Sequence, residues 1–217
     1  MPVQETGLGF VALAPTRNPF NYDKFEQINR DVVTPWLTTQ EIADQINLYS
    51  DESQDTYLQS LELATRMAIE DYLGLPIVPT SYRVFYGVSA LYGSPISLDI
   101  PEVSLNGVSV TKLAYFSDTT PPVLTKVDCT GYFYDPTGNK VIVSDLPSNI
   151  NTQMTSPVIV EYTANASDIA TYPVVKQAGL LLFTHLYNNR SNTTELNLKT
   201  LPFGVDQLLR PYKPLIM

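Results

Sequence analysis

Cysteine and histidine each occur once in this 217-residue chain, as Cys129 and His185, and no long apolar run is present. A single cysteine excludes an internal disulfide and any multi-cysteine metal site, which fits folding in a reducing compartment. With one histidine beside it, the common structural zinc sites are excluded as well. His185 falls in the most apolar stretch, so it reads as a polar core residue; a catalytic base needs a reachable cleft and partner groups. The carboxylate pairs Asp51-Glu52 and Glu70-Asp71 are adjacent in sequence, and neighbours on a helix do not face each other. No Walker-type loop, G-x-S-x-G or dinucleotide-binding glycine pattern occurs. Neither a cofactor nor an enzymatic activity is expected.

The apolar run at 178–183 falls far short of the roughly 20 residues that a bilayer-spanning helix needs. Residues 1–15 lack a basic n-region and are broken by Gly7, Gly9 and Pro15, so no secretory signal is expected. Basic residues are also scarce, 13 against 22 acidic, for a formal net charge of −9. That balance leaves no basic footprint for tight nucleic-acid binding. Most of the excess lies in 38–73, where Glu41, Asp44, Asp51, Glu52, Asp55, Glu62, Glu70 and Asp71 oppose Arg66 alone. These carboxylates read as the solvated faces of two amphipathic helices.

What is present is organised around a helix at 173–189, PVVKQAGLLLFTHLYNN. Val174, Ala178, Leu181 and His185 form one stripe and Val175, Leu182 and Leu186 a second, so most of the circumference is apolar and burial is expected. Pro173 suits the first helical position and Asn188-Asn189 a stop. A helix is expected at 38–49, opened by the Thr38–Glu41 capping box, and another at 54–73. In the second, Tyr57, Leu61, Ala64, Ala68 and Tyr72 share a face that Leu58, Ile69 and Leu73 widen, and Gly74 with Pro76 ends it. From 77 to 163 the period changes to two and turn residues multiply, as at Asn106-Gly107. Six or seven short strands are expected there. The fold class is α+β: a small helical bundle or hairpin with an inserted antiparallel, sandwich-like β region and extended arms at both ends. Its boundaries are an N-terminal arm at 1–35, with room for a short helix near 22–30, a body at 36–195 and a C-terminal docking arm at 196–217. In the last, Val205, Leu208, Leu209 and Tyr212 follow helical spacing, but Pro211 limits the helix to one or two turns, so a surface from elsewhere is needed, supplied either by the body of the chain or by a partner.

The order of segments TRMAIEDYLGLPIVPTSYRVFY, PISLDIPEVSLNGVSVTKLAYF, YFYDPTGNKVIVSD, VIVEYTA, PVVKQAGLLLFTHLYNNR and LPFGVDQLLRPY resembles the head–tail connector (adaptor) family of tailed bacteriophages over residues 37–212. It departs from that pattern in having Leu186-Tyr187 where a Trp is usual. The resemblance implies a structural virion protein of the neck at the capsid vertex, assembled in the host bacterial cytoplasm. It further implies a ring, normally twelvefold, beneath the portal protein. Such a ring would extend the DNA channel, let DNA pass without specific binding, and seat further neck or tail proteins; no membrane is involved. In this light Leu201, Phe203, Val205, Leu208, Leu209 and Tyr212 are the candidate residues for docking on the portal or a neighbouring subunit. Glu41, Asp44, Asp51 and Asp55 are candidate channel-facing carboxylates that would repel phosphates at close range.

Two other readings fit the same residues. One is a neck stopper or tail-completion protein, also β-rich and ring-forming. The other is a β-sandwich module binding carbohydrate or protein through Tyr82, Tyr86, Tyr92, Tyr132 and Tyr134. Aromatics at alternating strand positions more often pack within the sheet.

Overall fold

The computed structural model describes residues 20–48, 52–101, 103–104, 106–127, 131–189 and 203–213. Among the described residues the α-helices are α1 (Thr39–Ile46), α2 (Asp55–Leu73), α3 (Pro173–Asn188) and α4 (Phe203–Leu209). The strands among them are β1 (Lys24–Arg30), β2 (Thr80–Tyr86), β3 (Ile96–Asp99), β4 (Val108–Phe116), β5 (Leu124–Lys126), β6 (Tyr132–Asp135), β7 (Lys140–Val143) and β8 (Val158–Ala164). All pairs are antiparallel, in one sheet of order β1-β2-β8-β4-β5 and one of order β3-β7-β6. The chain is therefore α+β.

Local chemistry sets the helix ends. Thr38 Oγ1 accepts from the Glu41 N–H at 3.2 Å while Glu41 Oε2 accepts from the Thr38 N–H at 2.8 Å, completing the capping box. Gly74 closes α2 at φ +66°, a conformation costly for residues with a Cβ. Pro173 opens α3 at its first turn.

The strands expected between 77 and 163 are present, and β1 is added to them from ahead of the helices. Within 22–30, which left room for a helix, Lys24–Arg30 instead pair with β2 as an edge strand. The register slips between Gln27 and Asn29, so a bulge at Ile28 breaks the two-residue period. Phe25 and Ile28 thus stand three apart, which imitates a helical spacing. Asn21 continues the strap onto the other sheet: its N–H donates to Asp99 Oδ2 at 3.0 Å and its amide to the Ser97 carbonyl at 2.6 Å. From residue 20 onward the segment read as an extended arm thus lies on the chain's own body, in contact with both sheets.

One core lies between the sheets, with Val84, Tyr86, Leu98, Leu113, Val141, Val143, Val160 and Tyr162 all buried. A second joins α2, α3 and α4 through Ile69, Leu73, Val175, Ala178, Leu182, Val205 and Leu209. A third gathers Leu37, Ile42, Leu58 and Phe183. Trp36 packs against both helical clusters, and its Nε1–H donates to the Ala170 carbonyl at 2.9 Å. As expected, α3 is the helix shared by all the others. It is not buried all round, however: Val174 and Leu181 are exposed, because α1, α2 and α4 cover only the Val175–Ala178–Leu182 side.

Candidate docking surfaces

The buried face of α2 lies on the widening edge of the expected one, at Leu58, Ile69 and Leu73, rather than on its centre. Leu58, Thr65, Ile69 and Leu73 turn inward with Glu62, Arg66 and Glu70, whereas Ala64 and Tyr57 face solvent. Two carboxylates expected on a solvated face, Glu62 and Glu70, are therefore interior, with Arg66 between them at four-residue spacing along one stripe. Each meets main-chain groups. Glu62 Oε1 accepts from the N–H of Trp36 (2.9 Å) and of Leu37 (3.0 Å). Glu70 Oε1 accepts from Ile77 and Val78 at 2.9 and 3.2 Å, and its Oε2 pairs with Arg30 at 2.7 Å. The fully buried Arg66 guanidinium donates to the carbonyls of Asp31 and Thr34, leaving its Nε without a hydrogen bond. Buried charges at such spacing hold neighbouring chain in place, since leaving them unpaired is costly.

Above Arg66 the backbone turns tightly. Asp31 Oδ1 accepts from the N–H of Val33 (2.7 Å) and Thr34 (2.8 Å), and its Oδ2 from the Thr34 hydroxyl (2.5 Å). The Thr34 hydroxyl, then the backbone donors, hold the Asp31 carboxyl down at about 2. This turn carries Val32 and Val33, the latter 86% exposed. Beside it lies a groove of about 430 Å³ between residues 32–42 and the first turns of α2, lined by Pro35, Leu37, Ile42, Asp55, Leu58 and Leu63 among others.

The surface needed by the C-terminal helix is supplied by the chain's own body. Val205 and Leu209 are fully buried against α2 and α3, which corrects the expectation that these two reach a neighbour. Tyr72 OH donates to Asp206 Oδ1 at 2.5 Å, a bond that raises the phenol's pKa, and Lys213 Nζ lies 4.9 Å from the Tyr72 ring centre. Leu208 and Tyr212 are half-buried. Leu201 and the side chain of Phe203 lie outside the described residues.

Of the four candidate channel carboxylates, Glu41 is engaged within the chain. It completes the capping box and pairs with Lys176 Nζ of α3 at 2.7 Å; the lysine is the main cause of its lowered pKa. Asp44 is exposed and accepts from Gln40 at 2.8 Å. Asp55 is half-buried at the start of α2, and Asp51 lies outside the described residues.

The remaining candidates are structural in their surroundings. His185 sits half-buried in the last turn of α3, 3.5 Å from the Asn189 amide. Among the described residues no group of three His, Cys, Asp or Glu could hold a metal, and no helix is long and apolar enough to cross a membrane. Tyr86 is buried with its hydroxyl on the Asp99 carbonyl (2.7 Å), and Tyr82 stacks on Tyr162 with ring centres 5.6 Å apart. Tyr132 and Tyr134 pack against the inter-sheet core, so Tyr92, 79% exposed, is the one member of that aromatic set that faces solvent.

The sequence reading missed Trp36, Arg66 and the valine turn. The Glu62–Arg66–Glu70 spacing was the available signal, since three charges on one helical line beside Ile69 and Leu73 mark a polar stripe bordering a core.

No family model and no curated protein sequence matches this chain. Solved structures do. A chain in the virion of a native gene transfer agent (GTA) particle is 22% identical, with a TM-score of 0.58, over 90% of this chain and 97% of that one. A chain in the neck of an empty GTA particle, computed with C6 symmetry, is 22% identical over the same shares, with a TM-score of 0.59. A chain in the neck of a native GTA particle, computed with C12 symmetry, is 21% identical, with a TM-score of 0.54. At this level of identity the likeness is one of fold, and the α+β architecture described above is that of chains found in the virion and neck of a phage-like particle.

Proposed function

We propose that this chain is a structural neck protein of a tailed-phage-like particle, a head–tail connector that forms a ring beneath the portal. The supporting observation is that its fold spans 97% of a chain from a particle neck, not merely one shared sheet. In this reading copies assemble around a cyclic axis, twelvefold as in one of the matched necks, and the ring extends the DNA channel toward further neck or tail proteins. The role is scaffolding and carries no catalytic step.

Docking on the portal or an adjacent subunit is assigned to the C-terminal segment, with Leu201, Phe203, Leu208 and Tyr212 as the contact residues. Val205 and Leu209 act indirectly, by fixing α4 to α2 and α3. Of the acidic set, Asp44 and Asp55 are the carboxylates proposed to face passing DNA, together with Asp51.

The test is electron microscopy of the purified full chain, alone and with the portal protein from the same genome. Rings with a central hole that cap the portal support the proposal. A chain that forms no ring and does not bind the portal overturns it.

A further inference from the structure

The reading above requires each copy to present two different faces to its neighbours, and the structure holds a matched pair of unexplained apolar features. The first is Pro121-Pro122-Val123-Leu124, four consecutive apolar residues, all exposed, in the loop that enters β5. An exposed run of this length is a defect in a monomer unless something covers it. The loop is nonetheless knitted in place: the Ser117 N–H donates to the Val123 carbonyl (2.8 Å), the Val123 N–H to Ser117 Oγ (3.3 Å), and Thr119 Oγ1 to the Pro121 carbonyl (2.9 Å). The second is the groove beside the Val32-Val33 turn, held from beneath by Arg66.

These features cannot meet within one chain. β1 and β5 are opposite edges of the five-stranded sheet, four strand spacings or about 19 Å apart. Four antiparallel steps make the two strands run the same way, so the 117–123 loop enters β5 at one end of the sheet while the valine turn leaves β1 at the other. They occupy diagonally opposite corners. Charge agrees with shape. Leu124 and Lys126 are exposed on one side of β5 with Thr125 half-buried between them, so an inserted Leu124 brings Lys126 with it. Among the described residues the groove is lined by Asp55 and by no lysine or arginine, and the further carboxylate there, Glu62, is engaged with the backbone of Trp36 and Leu37. Asp118, at the far end of the loop, is exposed, and its main-chain N–H donates to the Asn149 carbonyl at 2.8 Å.

We infer that the Pro121–Leu124 loop of one copy seats in the groove between the Val32-Val33 turn and α2 of the next, with Lys126 beside Asp55. The contact is heterologous, one patch against a different one, and so propagates from copy to copy until it closes. It rests on the ring reading and names the surface that makes the ring.

The experiment uses the full chain and follows assembly by sedimentation and electron microscopy. V33D and L124D change exposed side chains, so each keeps the wild-type far-ultraviolet spectrum while raising the concentration for half-assembly by about tenfold or more, as loss of an interface anchor does. D55K and K126D weaken assembly singly, and the D55K/K126D double variant regains it. With Cys129→Ser as background, Val33→Cys and Leu124→Cys placed in one chain give a covalent ladder of multimers on oxidation, whereas each alone gives none. Rings that survive V33D and L124D, or a double charge variant no better than the singles, overturn this contact and leave the ring reading standing. A wild-type chain that stays monomeric and neither forms a ring on the portal nor binds it overturns the ring reading, and the contact with it.

Discussion

Trp36 occupies the space that a side chain at position 179 would need: a Cβ built on Gly179 stands 2.6 Å from Cζ3 and 2.7 Å from Cη2 of the indole. The contact sits where α3 is crossed by the segment leading into α1, and the indole N–H is already fixed on the Ala170 carbonyl at 2.9 Å. Gly179→Ala gains about 1 kcal/mol in helix propensity and loses about 1–3 kcal/mol to overpacking, so net destabilisation is expected. Trp36 is the only tryptophan, so a denaturant titration read by its fluorescence reports both the shifted midpoint and a red-shifted native emission. An unchanged midpoint and spectrum would show that the indole moves freely.

Arg66 links the interior to the surface. Replacing it with methionine keeps the stem but strips the carbonyls of Asp31 and Thr34 of their donor, at an expected cost of about 2–4 kcal/mol. The more specific consequence is a loosened valine turn, read as faster amide exchange at Val33 and Thr34 than at β2. Equal exchange in the variant and the wild type would mean that the Asp31 side chain alone shapes the turn.

That same aspartate gives a pH signature. Its folded-state pKa of about 2 lies below the ordinary 3.8, so its contribution is present above pH 3.8 and is lost as pH falls from there toward about 2. Because the carboxyl is solvent-facing, the effect is small. Asp31→Asn is expected to flatten the fall in melting temperature between pH 4 and pH 2 relative to wild type, and parallel curves would contradict it.

Removing residues 200–217 takes Val205 and Leu209 out of the helical core, so such a truncation is expected to destabilise the monomer as well as to impair docking. Leu209→Ala isolates the first effect, with an expected loss of about 2–5 kcal/mol for a fully buried leucine. Tyr212→Ala, at a half-buried position, isolates the second: portal binding falls while the denaturation midpoint moves little. If Leu209→Ala is neutral, α4 does not belong to the core.

Glu41 separates two roles that share one carboxylate. Thr38→Ala removes the cap and costs about 1 kcal/mol, while Lys176→Met removes only a partly exposed ion pair and costs less than about 1 kcal/mol. A larger loss in the second variant would show that the bridge to α3, not the capping box, positions α1.

Patterns contained in short windows were sufficient for several features. The Thr38–Glu41 box, Gly74 after α2, Pro173 at the head of α3 and the Asn106-Gly107 turn are each decided by backbone chemistry over a few residues, so the sequence alone places them. Alternation likewise marked the strands between 80 and 164, because one side of each faces the inter-sheet core. The α+β class read from these periodicities is the one that the structure has.

Long-range pairing decided the rest. β1 joins the sheet from before the helices, with a bulge that hides its period; Glu62, Arg66 and Glu70 are interior because backbone donors and acceptors from residues 31–37 and 77–78 arrive to meet them; and α4 finds its apolar surface on α2 and α3. No local window contains those partners. A charge or an exposed apolar side chain takes its meaning from what folding brings opposite it, and that is set by the tertiary arrangement rather than by the residue's neighbours in the chain.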